Sequence, residues 1–109
     1  MDDDYAEAVL DIVAQIPPGR AMTYGLIAEI VGDRFEATEG RRRGGPRQVG
    51  NVLGRTGSDV PWWRVVNTTG RPPERHLQRA LEELRAERTP LSADGTRVAL
   101  RQAVWFPDE

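Results

Sequence analysis

The prolines at 17 and 18, followed by Gly19, divide the first third of this sequence more sharply than any other feature. A proline within a helix removes a backbone donor and clashes with the preceding turn, so two in succession leave no helical path through. Apolar residues recur at helical spacing on both sides of the break. Ahead of it, Ala6, Val9, Leu10, Val13 and Ile16 share one face of a helix over 4–16, and Asp2, Asp3 and Asp4 place negative charge where a helix start favours it. Beyond it, Thr23 is a natural N-cap for a second short helix, roughly 24–31, whose Leu26, Ile27, Ile30 and Val31 form a stripe that Gly32 ends. Both runs are interrupted by charge and are too short to span a bilayer or to form the core of a signal peptide. No membrane association is expected.

Periodicity then disappears. The stretch "DRFEATEGRRRGG" at 33–45 has little apolar content and three consecutive arginines, and it reads as a flexible, exposed loop. Pro46 suits the first position of a third helix, with Val49, Val52 and Leu53 inward and an end near Gly54. Arg47, Gln48, Asn51 and Arg55 share its other face, and Gly50 permits close approach. Two short helices joined in this way, the second presenting Arg, Gln and Asn, are patterned as a helix-turn-helix, although the connection is long for one. "WRVVN" reads as a short strand, "TGRPP" as a turn, and 76–88 as a helix with Leu77, Ala80, Leu81 and Leu84 inward. Asp94-Gly95 is a hairpin signal that would add a two-stranded wing before Trp105. The expected fold is mostly α with a small β wing, a winged helix-turn-helix, in a single domain over 1–109 with an Arg-rich insertion at about 33–45.

A chain of 109 residues buries roughly 65% of the surface its unfolded form exposes, so it needs no disulfide or metal staple. It has no cysteine and one histidine, His76, which excludes disulfides, thiol catalysis and a Cys- or His-based metal centre. No cofactor is expected, and an intracellular location fits best. The net charge of −2 hides an asymmetry: between Arg34 and Arg79 ten arginines face four acidic residues, a local +6, while the rest of the chain is acidic. Phosphate attraction depends on local charge, so a basic centre suits an anion-binding face, and a solvated charged surface is the plainer alternative.

Covalent and acid-base catalysis require a nucleophile with a base beside it, or titratable groups in tuned surroundings. Ser58 and Ser92 lie in turn-like stretches without a histidine in sequence reach, and His76 reads as a surface or capping residue. No glycine-rich loop has phosphate-binding spacing. Binding is the expected activity.

The blocks "IPPGRAMTYGLIAEIVG", "PRQVGNVL", "VPWWRVVNTTG" and "LQRALEELRAE", in that order, resemble the DNA-binding domain of O6-alkylguanine-DNA alkyltransferases across nearly the whole chain. In that family the third block reads Pro-Cys-His-Arg-Val and its cysteine accepts the alkyl group. Trp62 stands at the cysteine position, which is the mark of the alkyltransferase-like proteins, non-enzymatic relatives that bind O6-alkylguanine in DNA and pass it to nucleotide excision repair. Those relatives usually keep the histidine, whereas here Trp63 replaces it.

The resemblance implies roles for individual residues. Trp62 would line a pocket for an extruded, alkylated guanine, supplying a π surface and deleting the chemistry, with Trp63 filling space behind it. Tyr24, after the capping Thr23, matches the tyrosine that presses on the phosphate beside the flipped nucleotide. Arg47 matches the arginine that enters the base stack, and Gln48, Gly50 and Asn51 share a helix that the family docks in the minor groove. Arg64 admits either a structural role, bonding backbone carbonyls, or a DNA-facing one. Arg71 and Arg75 would close over the pocket mouth or simply stand exposed. The segment "RFEATEGRRRGG" exceeds the family's short connection and either adds phosphate contacts or does nothing. The implied partners are double-stranded DNA with O6-alkylguanine and excision-repair proteins, met as a monomer in the cytoplasm, at the nucleoid of a bacterium or in a eukaryotic nucleus. The competing readings are a winged helix-turn-helix transcriptional regulator, a general DNA-binding protein, or an enzyme of unrecognised activity.

Overall fold

The computed structural model describes residues 3–107. In chain order it contains α1 (Asp3–Gln15), β1 (Met22–Thr23), α2 (Tyr24–Glu39), α3 (Pro46–Thr56), β2 (Val65–Val66), α4 (Leu77–Ala86) and α5 (Leu100–Ala103), with 3-10 turns at Gly57–Asp59, Trp62–Arg64 and Glu74–His76. It is mostly helical with a small sheet. Asp2, part of the acidic run expected at the start of α1, lies outside the described residues.

Two apolar clusters sit on either side of a short parallel pairing. Met22 pairs with Val65 and Thr23 with Val66. Successive strand residues point to opposite faces. Met22 and Val65 therefore join the cluster built by α1, α2 and α3, while Ala21 and Val66 join a second one with Leu81, Leu84, Val98 and Ala103. The carboxy-terminal tail completes this spine: Ala21 bridges Val104 in parallel, with Ala21 N donating to Ala103 O (2.9 Å) and Trp105 N to Ala21 O (2.9 Å). Arg20, which follows the Pro-Pro-Gly corner, donates from Nε to Ala103 O (3.1 Å) and holds the tail in place.

The second helix is longer than its apolar stripe suggests. Gly32 is buried inside it, and the helix continues to Glu39. The reason is Phe35, four residues past Val31 on the same face, which stacks on Tyr5 of α1 with ring centroids 6.1 Å apart and 17° between planes. Gly40, at φ 81, ends the helix instead, its N–H donating to Glu36 O. The flexible loop expected over 33–45 therefore shrinks to residues 40–45. Arg42 and Arg43 fold back onto α2. Arg42 pairs with Asp33 and donates from Nη2 to Glu29 O (3.2 Å). The Arg43 guanidinium lies 4.1 Å from the centroid of Phe35 and donates to Glu39 (3.2 Å).

The expected wing is also reduced. The chain does reverse at Asp94-Gly95, where the Asp94 carboxylate accepts from Ser92 Oγ (2.7 Å), Thr96 Oγ1 (2.8 Å) and Thr96 N (3.1 Å). Only one antiparallel bridge follows, Leu91 with Val98. Ser92 N donates to Arg97 O (2.8 Å) and Ala99 N to Pro90 O (2.8 Å) on either side of that bridge, but Val98 N turns outward to Gly70 O (2.7 Å), and the ladder goes no further.

Candidate nucleic-acid interface

The helix α3 begins with Pro46 at its first position and buries Val49 and Val52. At about 100° per residue, that inward pair leaves Arg47, Asn51 and Gly54 as the outermost ridge. All three are exposed, as are Gln48 and Arg55. None of these four polar side chains makes an ion pair or side-chain hydrogen bond with another described residue, and helix formation alone does not require their polarity.

Beside this ridge is a cavity of about 360 Å³. Its aromatic part is Tyr24, Trp62 and His76; its small-residue part is Gly50, Gly54 and Gly57; its basic part is Arg55, Arg75 and Arg79. Leu53, Ser58 and Pro73 complete the lining, and among the described residues no carboxylate contributes to it. Tyr24 is placed there because α2 starts at that residue, capped by Thr23 Oγ1, which accepts from Leu26 N (3.0 Å). Burial pushes the Tyr24 phenol above its ordinary pKa, so it remains a neutral donor at physiological pH. The indole of Trp62 meets the His76 ring at 5.6 Å between centroids and 61° between planes. Gly50 lies in van der Waals range of the Tyr24 ring, where a Cβ would sit 3.9 Å from Cε1.

The sequence-predicted site residues divide into three groups: four in the cavity, three on the helix beside it, and four, Thr23, Trp63, Arg64 and Arg71, engaged elsewhere. Tyr24, Gly50, Trp62 and Arg75 come together in the cavity. Arg47, Gln48 and Asn51 do not line it and stand on the adjoining helix surface. Trp63, grouped with the pocket by resemblance, is turned away from it: its indole N–H donates to Glu87 (3.1 Å) and its ring packs with the second apolar cluster. The two tryptophans meet edge to face, 5.7 Å apart at 85°, so only the first faces the cavity.

Arg64 settles on the structural alternative and not the DNA-facing one. Its guanidinium donates to Ile16 O (2.6 Å) and to Glu87 (3.0 Å), and only 12% of its side chain is exposed. It ties the end of α1 to the end of α4. Arg71 forms an ion pair with Glu74 and lies outside the cavity. Thr23 uses its hydroxyl on the helix cap.

His76, Arg79 and Arg55 are cavity residues that sequence reasoning missed. The signal for Arg79 was available, because it follows Arg75 by four residues at the entry to a helix, where that spacing brings side chains to one side. His76 had no such signal, since its partner Trp62 is distant in sequence. Among the described residues no cluster of His, Asp or Glu could hold a metal ion, and no helix is long and apolar enough to cross a membrane.

The arrangement is an aromatic, cationic hollow beside an exposed polar helix, suited to a flat, electron-rich group attached to a polyanion. Comparison with known proteins agrees with that chemistry. Residues 4–89 match the family model described as the DNA-binding domain of 6-O-methylguanine DNA methyltransferase. The chain is 35% identical to a DNA base-flipping protein of Vibrio parahaemolyticus, with 96% of this chain and 99% of that one aligned. It is 31% identical to alkyltransferase-like protein 1 of Schizosaccharomyces pombe, over 96% of this chain and 97% of that one. In three dimensions it resembles S. pombe Atl1 in complex with damaged DNA containing O6-carboxymethylguanine, with a TM-score of 0.75, 29% identity, and 98% and 99% of the two chains covered. The chain thus belongs to the family of 6-O-methylguanine DNA methyltransferase DNA-binding domains, within its alkyltransferase-like branch.

Proposed function

We propose that this protein binds duplex DNA carrying an O6-alkylguanine, turns the modified base into the Trp62 cavity, and holds it without removing the alkyl group. The observation that carries the reading is Trp62 itself. It stands where the alkyltransferases place their acceptor cysteine, its indole lines the cavity, and the sequence has no cysteine elsewhere. A thiolate could take an alkyl group; an indole offers only a surface for stacking, worth roughly 1–3 kcal/mol per base.

Other groups supply the remaining steps. Flipping costs a few kcal/mol of lost stacking, which Arg47 offsets by entering the vacated space from the exposed second residue of α3. Tyr24 bears on the phosphate beside the extruded nucleotide, and the cavity's basic groups attract the strand toward it. Because the base leaves unaltered, the complex is a mark for other machinery, and nucleotide excision repair is the partner we assign. The protein acts as a monomer, in the cytoplasm or nucleus according to where its DNA lies.

Titration of duplexes with and without one O6-methylguanine tests the reading. The wild type should prefer the modified duplex, and Trp62→Ala should reduce that preference while leaving affinity for plain DNA nearly unchanged. Incubation with DNA labelled on the methyl group should leave the protein unlabelled. An unchanged preference in Trp62→Ala would return Trp62 to the role of a packing residue.

A further inference from the structure

The Arg-rich return from α2 to α3 contributes nothing to the Trp62 cavity, but it walls a second hollow of about 350 Å³ lined by Tyr5, Arg43, Gly44, Gln48, Asn51, Val52 and Arg55. Arg55 borders both hollows, and the remaining α3 residues of each lie on opposite flanks of the helix. With about 100° per residue, Gln48, Asn51 and Val52 centre nearly half a turn away from Gly50, Leu53 and Gly54. The exposed ridge of Arg47 and Asn51 runs between the two flanks.

We infer that the second hollow seats the sugar-phosphate backbone of the strand opposite the lesion. The inference rests on the proposed function, with α3 placed in the minor groove as the family resemblance implies. A groove is bounded by two backbones, so a helix lying in it has one strand on each flank. If the first cavity draws its nucleotide from one strand, the second hollow faces the other. Its chemistry fits that occupant: Arg55 and Arg43, the latter shared with Glu39, offer charge to phosphate, Gln48 and Asn51 offer amide donors, the nearly buried Tyr5 and Val52 form its floor, and among the described residues no carboxylate lines it.

The hollow is also built rigidly. Arg43 is held over Phe35 at 4.1 Å and by Glu39 at 3.2 Å, with 19% of its side chain exposed. Gly44, at φ 76, lies so close on the Tyr5 ring that a Cβ there would overlap it. The helical extension that carries Phe35 and Glu39 therefore has a use: it positions Arg43 as one wall of a strand-binding site. Contacts of this kind set register on the duplex and carry no sequence preference.

The test maps phosphates. A duplex with one O6-methylguanine is prepared with single methylphosphonates, one position at a time, on either strand, and each is titrated with the full chain. In the wild type, neutralising one or two adjacent positions on the unmodified strand should weaken binding about tenfold, as loss of a hydrogen bond to a charged group does. Asn51→Asp, which adds a carboxylate without changing shape, should lose at least about tenfold on the ordinary duplex, and a methylphosphonate at the same opposite-strand position should restore most of it. Sensitivity confined to the modified strand, or an Asn51→Asp loss that no opposite-strand neutralisation relieves, overturns the inference. Lesion preference retained alongside either result leaves the proposed function standing. Opposite-strand sensitivity without lesion preference would support the second site and sink the lesion reading alone.

Discussion

The imidazole of His76 lies edge-on to the indole of Trp62, 5.6 Å between centroids, on one wall of a cavity completed by α2, α3, the Gly57–Asp59 turn and the entry to α4. These two residues are held together by the turn that precedes α4, not by sequence proximity. His76 therefore extends the aromatic wall toward the cavity's basic residues. Aromatic pairs of this geometry are worth about 0.5–1.5 kcal/mol beyond their buried area. His76→Ala should accordingly lower the ratio of damaged to plain duplex affinity about two- to tenfold, read by competition anisotropy. An equal loss on both duplexes would make His76 a phosphate contact instead.

Arg47 stands exposed at the second position of α3, outside both hollows. Arg47→Ala should weaken binding to the modified duplex by about 1.4 kcal/mol or more, since the cost of flipping is then no longer offset. A 2-aminopurine placed next to the lesion should brighten on addition of the wild type and much less with the variant. Unaltered affinity and fluorescence would remove Arg47 from the flipping step.

Glu87 is the shared acceptor of Arg64 and of the Trp63 indole, with 13% of its side chain exposed. Glu87→Gln leaves a nearly buried guanidinium without its counter-charge. The expected loss is about 1–3 kcal/mol of folding stability in urea denaturation, with lesion preference retained in whatever remains folded. Loss of preference without loss of stability would show that the pair shapes the cavity directly.

The Asp94 carboxylate, bonded to Ser92 and Thr96, titrates at about 2 in the folded chain. Its folded pKa is depressed below the unfolded value of roughly 3.9, so its contribution is fully present above that value and is lost as pH falls toward 2. Asp94→Asn should be less stable than wild type at neutral pH, and the difference should close between pH 4 and 2. Urea midpoints measured across that range check it; a difference that persists at pH 2 would assign the turn's stability to shape and not charge.

The helices α1, α3 and α4, the cap at Thr23, Pro46 at the start of α3 and the exposed faces of Arg47, Gln48 and Asn51 were legible because each follows from spacing within a dozen residues, whereas the four-residue α5 is too short to show a period. The end of α2 was not, because one aromatic residue decided it: Phe35 sits among charges in sequence, and its partner Tyr5 belongs to another helix. Arg42 and Arg43 looked solvated for the same reason, since Asp33 and Glu39 are their partners only once α2 extends. Trp63 and Arg64 were ambiguous until Glu87, twenty-four and twenty-three residues away, was placed beside them. The β1–β2 pairing was invisible because two-residue strands carry no periodicity.

That pairing has a consequence for how the chain can vary. Val65 and Val66 are adjacent, yet they serve opposite apolar clusters, and Trp62 and Trp63 diverge just ahead of them, one to the cavity and one to Glu87. Along the strand, inward and outward are assigned by odd and even count, while the 3-10 turn at Trp62–Arg64 sets the two indoles apart. Losing or gaining one residue between Arg64 and Asn67 would exchange the clusters that the valines serve, and the same change between Pro61 and Arg64 would turn the indoles away from the cavity and from Glu87. The spacing of this stretch is therefore held by two unrelated demands, and length here should prove less forgiving than composition.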